Sequence, residues 1–330
     1  MKLATFSLIL SAALCPLFGQ ISQSHPEYCG RPGGANPPLP NVSATFNSDG
    51  EAVLFVGATG SRREIPLHGA GSLASFLYQI DEVCPLGDGR LVVFGGLGAT
   101  ETLIVDPAKP AVVDDFFLWQ PVISPDRRWI VYDKMSPAHG VEATSEELIY
   151  DLSKSPAQNR PDGDLTNTAD VGAVLFPPGQ QNVLGDNINV PRDQVHSLQS
   201  SFYWASDSRA ILFEDKLEGQ PYRIILITLD EKGTPTALEH GITAADLCGA
   251  SLPDVRTLLP RLDRAEIGPD RNGARAMVLD LSSDDARCPA RILQLSSNDF
   301  KPTKTETHIK PEPTHGAIVN GQEAIPPKKK

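Results

Sequence analysis

Short apolar runs, each introduced by an acidic turn, recur along the chain. Asp49-Gly50-Glu51-Ala52-Val53-Leu54-Phe55 matches Asp88-Gly89-Arg90-Leu91-Val92-Val93-Phe94. Both match Asp126-Arg127-Arg128-Trp129-Ile130-Val131-Tyr132 and Asp207-Ser208-Arg209-Ala210-Ile211-Leu212-Phe213. Each copy has an Asp, a turn residue, a charged residue, and four apolar positions ending on an aromatic. Asp and Gly suit a tight turn, Asp by bonding its own backbone and Gly by tolerating positive φ. The β-branched and aromatic run that follows predicts a buried strand. Arg127 and Ser208 stand where the first two copies have glycine, which predicts a different turn type there.

Each copy is followed by a second strand signal ending on a polar or acidic residue. Examples are Thr102-Leu103-Ile104-Val105-Asp106, Glu147-Leu148-Ile149-Tyr150-Asp151 and Arg223 to Asp230. A degraded fifth unit runs from Gly268-Pro269-Asp270 to Met277-Val278-Leu279, with Arg291-Ile292-Leu293-Gln294-Leu295 as its partner. Successive Asp positions lie 39, 38, 81 and 63 residues apart. A small antiparallel sheet repeated at about 40 residues cannot bury both faces without neighbours, and this predicts an all-β fold, a β-propeller of five or six blades over residues 41–300. The stretch between Asp151 and Phe202 is either a diverged blade or an insertion. An open β-sandwich of similar length is the rival architecture.

The run Gln120-Pro121-Val122-Ile123-Ser124-Pro125-Asp126-Arg127-Arg128-Trp129-Ile130-Val131-Tyr132 resembles the WD40-like repeat of TolB-like propellers, and Tyr203-Trp204-Ala205-Ser206-Asp207-Ser208-Arg209 is similar to its variant with serine after the acid. The copies at Asp49, Asp88 and Asp270 depart from that repeat. The resemblance implies a fold and no chemistry. Proteins of that group serve as periplasmic interaction scaffolds, and the same repeats form the propeller attached to some serine peptidases.

Composition narrows the partners. The chain has 41 acidic and 29 basic residues in 330, a formal charge of -12. Lys2 and a tail with six Lys against three Glu leave -16 on residues 3–300. So acidic a body repels polyphosphate and argues against nucleic acid as a partner. Gly 27 and Pro 29 argue against a helical bundle.

The ends read as targeting and tail. Met1-Lys2 and the apolar stretch Leu3 to Phe18 have the form of a secretory signal over residues 1–19, too short to span a bilayer. Lipid attachment at Cys15 is the rival, disfavoured by Leu14 before it and Pro16 after it. Residues 20–40 form an N-terminal segment. Residues 301–330, with five prolines and a terminal Lys328-Lys329-Lys330, predict a disordered tail. Cys29, Cys84, Cys248 and Cys288 remain after export, an even number suited to two disulfides with three possible pairings. Pairing within each end of the chain, Cys29 with Cys84 and Cys248 with Cys288, is the one expected. No CxxC or Cys/His pair has zinc-ligand spacing.

A site is harder to place. The Asn-, Gln- and Asp-rich stretch Phe176 to His196 breaks the strand pattern, and long loops in compact repeat folds are often functional. Asp186, Asn187, Asn189, Asp193 and His196 are its candidate ligand-binding residues, although the spacing fits no calcium loop. Asp162-Gly163-Asp164 with Thr166, Thr168 and Asp170 also lacks the pattern of an EF-hand. The clusters at Gly57 to Ser61 and Gly95 to Gly98 read as hairpin turns. No G-x-S-x-G elbow or H-E-x-x-H helix occurs. His68, His139, His196 and His240 are scattered, and the pairs Asp114-Asp115, Glu146-Glu147 and Asp284-Asp285, adjacent on a strand, point to opposite faces. No catalytic residue, cofactor or metal is implied. The expectation is a monomeric, periplasmic or secreted binding module for a protein or cell-envelope partner. The alternative is a carbohydrate- or peptide-acting enzyme with its site at the central channel.

Overall fold

The computed structural model describes residues 29, 39, 41–67, 79–96, 100–135, 145–160, 162–165, 171–177, 196–217, 220, 222–241, 260–269, 275–283, 291–296 and 302–307. Among them no α-helix occurs; nineteen strands and a short 3-10 helix, Pro156–Asn159, make up the regular structure. The repeated turn works by one mechanism throughout. The carbonyls of Asn47, Leu86, Ser124 and Ala205 accept from the N–H groups of Gly50, Gly89, Arg127 and Ser208 at 2.9–3.2 Å. In three copies the Asp carboxylate accepts the N–H two residues on: Asp88 from Arg90 (3.0 Å), Asp126 from Arg128 (3.1 Å) and Asp207 from Arg209 (2.9 Å). In the first copy Asn47 takes over, accepting from Asp49 and Glu51.

The expectation of a different turn type at Arg127 and Ser208 needs correcting. Arg127 (φ 64°) and Ser208 (φ 58°) occupy the same left-handed region as Gly50 (81°) and Gly89 (88°). What changes is the closing bond, which reaches five residues ahead, from Ser124 to Trp129 and Ala205 to Ala210, and four in the glycine copies. A left-handed L-residue costs about 1–2 kcal/mol, and both side chains offset this with a distant contact. The Arg127 guanidinium donates to the Cys29 carbonyl at 2.5 Å, and the Ser208 hydroxyl accepts from the Asp126 N–H at 2.9 Å. Ser208→Ala, which keeps the strain and loses the bond, is expected to cost about 1–2 kcal/mol in urea unfolding, whereas Ser208→Gly stays within about 0.5 kcal/mol of wild type.

The strands form five antiparallel sheets among the described residues. The first is β1 (Val42–Phe46), β2 (Ala52–Val56) and β3 (Arg63–Pro66). The second is β4 (Ile80–Pro85), β5 (Leu91–Gly95), β6 (Thr100–Asp106) and the start of β7 (Ala111–Ile123). The end of β7 opens the third, followed by β8 (Trp129–Met135), β9 (Ser145–Asp151) and β10 (Ala173–Phe176). In the fourth, β11 (His196–Leu198) and β12 (Tyr203–Trp204) share β13 (Ala210–Leu217), which continues into β14 (Tyr222–Leu229) and β15 (Pro235–Gly241). The fifth is β16 (Pro260–Pro269), β17 (Arg275–Ser283), β18 (Arg291–Ser296) and β19 (Pro302–Thr307).

Successive sheets bury each other's faces, as β-propeller blades do. Strand β5 sends Leu91 and Val93 into a core shared with Ala52, Leu54 and Ile65 of the first sheet. Its alternate residues Val92 and Phe94 enter a second core with Ile130, Tyr132, Leu148 and Tyr150 of the third. Trp129, Val131 and Ile149 meet Ile211, Phe213, Ile225 and Ile227 in a third core. Leu212, Ile224 and Leu226 meet Leu262, Met277 and Leu279 in a fourth. A sandwich has one core between two layers; here each of the middle sheets faces two. Polar contacts cross the same seams, among them Trp204 Nε1 to the Val122 carbonyl (3.2 Å) and Arg90 Nη2 to the Leu152 carbonyl (2.6 Å).

Two stretches sit differently from the sequence expectation. Strand β19 pairs with β18 from Arg291↔Thr307 to Leu295↔Pro302, so residues 302–307 complete the last sheet beyond the boundary set at 300. Averaging over thirty Pro- and Lys-rich residues hides the alternating threonines 303, 305 and 307, whose β-branched side chains favour a strand beside an available edge. Between Asp151 and Phe202, β10 closes the third sheet and β11 opens the fourth, so the 81-residue interval holds an enlarged blade and no separate sheet among the described residues.

Candidate functional site

Side-chain alternation carries acids to one end of the seam between the third and fourth sheets. Trp129 and Val131 point into that seam, so Asp133, two further along β8, does too; Ile149 places Glu147 there from β9, and Phe213 places Asp215 from β13. Strand β11 sets His196 opposite Leu217, on the face that Asp215 occupies, and Arg223 of β14 lies directly opposite Asp215. These five side chains cap the apolar core. Phe176 stands edge-on to His196 at 5.6 Å and lies under the Arg223 guanidinium at 5.5 Å.

The geometry is tight. His196 Nδ1 lies 3.1 Å from Asp215 Oδ1, while Arg223 Nε and Nη2 both donate to Asp215 Oδ2 at 2.7 Å and Nη1 reaches Glu239 at 2.6 Å. One ligand atom from each of Glu147, His196 and Asp215 lies within 4.8 Å of the other two. All three residues are at most 1% exposed. Among the described residues neither carboxylate oxygen of Glu147 has a hydrogen-bond partner. Burial pushes Asp133 up to about 7 against the pull of the Ser145 hydroxyl and the Glu146 N–H, with Asp215 adding to the rise. Burial also holds Glu147 well above the usual carboxylate range, reinforced by Asp133 and Asp215.

Two other polar clusters occupy other seams. Asp114 of β7 accepts from Arg160 (2.6 and 3.2 Å) and from the Tyr150 hydroxyl (2.6 Å). Asn159 anchors the loop that delivers Arg160 by accepting from the Asp151 N–H and donating to the Asp151 carbonyl. On the opposite face of the second sheet, burial lifts the Glu101 carboxyl from 4.5 to about 7, with Asp115 repelling its charge. The folded chain therefore holds the Glu101 proton more tightly than the unfolded chain does. This contribution is complete below about pH 4.5 and is lost as pH rises through about 7. Glu101→Gln is expected to be more stable than wild type at pH 8 by on the order of 1–3 kcal/mol and close to it at pH 4.5, measured as the difference between two thermal-stability profiles.

His196, one of the five candidates on the long loop, is thus a buried strand residue bonded to Asp215. Asp186, Asn187, Asn189 and Asp193 lie outside the described residues, as do His68, His139, Thr166, Thr168, Asp170, Asp284 and Asp285. Cys29 and Cys84 are joined by a disulfide, and Cys248 and Cys288 lie outside the described residues. Asp162 Oδ1 accepts the Asp164 N–H in a local turn. Asp114 and Asp115 face different seams. Asp133, Glu147 and Asp215 carry a sequence signal of their own: acids two positions from Val131, Ile149 and Phe213, in the alternation register of buried residues, where an apolar residue is the cheaper choice.

No family model and no curated protein matches the sequence. Among solved structures, the chain is similar to the β-propeller domain of the Trilobed protease from Pyrococcus furiosus (14% identity, 82% of this chain, 72% of that chain, TM-score 0.37). It is similar also to TolB from Acinetobacter baumannii (13%, 80% and 53%, TM-score 0.27). A prolyl endopeptidase aligns at 10% identity over 79% of this chain with TM-score 0.41, and the chain spans about a third of that protein's length.

Proposed function

We propose that the chain is an exported β-propeller that recognises a protein or cell-envelope component through its rim and loops, as a monomer and without catalysis. The observation that carries this reading is the burial of its ionisable clusters. Among the described residues Asp114, Asp133, Glu147, His196 and Asp215 are 0–3% exposed and sit in seams between sheets, away from solvent. An enzyme of the polysaccharide- or peptide-acting kind needs such groups at an open mouth, within reach of substrate. Export is supported by the leader-like first nineteen residues and by the Cys29–Cys84 disulfide, which persists in an oxidising compartment. Among the described residues no helix is long and apolar enough to cross a membrane.

Affinity capture from an envelope extract tests the reading, comparing the chain with a variant whose residues 178–195 are replaced by a Gly/Ser linker. A discrete, saturable partner is the expected result. Its loss in the variant assigns recognition to that loop, and its retention assigns it to the remaining rim. Absence of any partner, with turnover of a polysaccharide or peptide library, overturns it.

A further inference from the structure

The structure assigns a divalent transition-metal site to Glu147, His196 and Asp215, a cation clamp between the third and fourth sheets. This departs from the expectation that the chain binds no metal. Two carboxylates and one imidazole are the donor types that Zn²⁺ and Mn²⁺ accept. Around a zinc ion at about 2.0–2.2 Å, ligand atoms stand about 3.3–3.6 Å apart. His196 Nδ1 and Asp215 Oδ1 are already 3.1 Å apart, and the full set lies within 4.8 Å.

One further observation points to a ligand rather than to a chance gathering of acids. The fully buried Glu147 carboxyl brings an oxygen within 4.8 Å of the His196 and Asp215 ligand atoms, and neither of its oxygens has a hydrogen-bond partner among the described residues. Leaving a buried carboxyl unsatisfied is among the costliest arrangements in a protein interior. A divalent ion supplies the missing partner.

The donors come from different sheets, with Glu147 on β9 and His196 and Asp215 on β11 and β13. Binding therefore couples the two blades, and the site is structural: its ligands are closed off by the Phe176 and Phe213 core beneath. Arg223 holds Asp215 Oδ2 and leaves Oδ1 for the ion, the orienting role that partners of metal ligands commonly play.

Elemental analysis of the untagged mature protein, purified without chelator, is the first test. About one equivalent of a divalent transition metal per chain is expected. EDTA is expected to lower the melting temperature by about 5 °C, and Zn²⁺ or Mn²⁺ to restore it. Glu147→Gln and His196→Gln are expected to lose both the metal and the response. Should those variants not fold, X-ray absorption on the Zn²⁺-loaded wild type decides, with an imidazole and oxygen shell expected. A wild type with under a tenth of an equivalent and no melting response, a sulfur-containing shell, or an undiminished response in both variants overturns the site. Glu147→Gln that outperforms metal-treated wild type would likewise overturn it, since a proton then does what the ion is said to do.

Discussion

Arg160→Met is expected to destabilise the fold by about 3–5 kcal/mol, the largest effect of any single polar substitution considered. The Arg160 side chain is fully buried, and Asp114 beneath it is 3% exposed. Its two terminal nitrogens bind the two oxygens of Asp114 at 2.6 and 3.2 Å, with one also donating to the Pro156 carbonyl at 2.9 Å. Methionine fills much of the space but leaves Asp114 as a buried anion with no cation beside it, held by the Tyr150 hydroxyl and the Asp115 N–H. Most of the expected loss is this unpaired charge, so adding Asp114→Asn should recover more than half of it. Urea unfolding of the two single variants and the double variant measures this directly. Additive losses would show that the pair acts independently and that the penalty has another origin.

The contrast between Arg160 and the repeat shows what a sequence reveals here. Turn chemistry and apolar runs are local, and they located β2, β5, β8 and β13 because Asp, the turn residue and the following strand are contiguous. Which face a residue takes was not legible. In β5 and β8 every apolar position is buried, so the alternation that would distinguish two faces is absent. Phe94 and Tyr132 occupy equivalent motif positions, yet meet across one seam from opposite sides. The buried clusters were hidden for a different reason. Glu147, His196 and Asp215 come from three strands, 49 and 19 residues apart, and only the stacking of sheets joins them. His196 closes a polar stretch in the sequence, whereas Glu147 opens the strand signal that runs to Asp151 and Asp215 lies among the charged residues Glu214 and Lys216. Arg160 gave no signal at all, since its position depends on the 3-10 helix capped at Ser155.

Phe213→Ala is expected to cost about 3–5 kcal/mol, and Phe55→Ala, at the equivalent motif position, about 1–2 kcal/mol. Phe213 is fully buried and packs edge-to-face on Phe176 (5.7 Å) and Phe202 (5.4 Å). Phe55 is half-buried, on the face of the first sheet turned away from its core with the second. Deleting the Phe213 ring opens a cavity that two strands already in register cannot collapse, because β13 is held by β14 on one side and by β11 and β12 on the other. A Phe176/Phe213 double-mutant cycle should give a coupling of about 0.5–1.5 kcal/mol from the ring geometry beyond area. The ring also supports His196 through Phe176, so hydrogen exchange in Phe213→Ala should speed up first in β11 and β13 and leave β2 unchanged. Equal losses for the two phenylalanines would mean that the terminal sheet is buried as deeply as the middle ones, and that the unequal exposure of its faces has no energetic consequence.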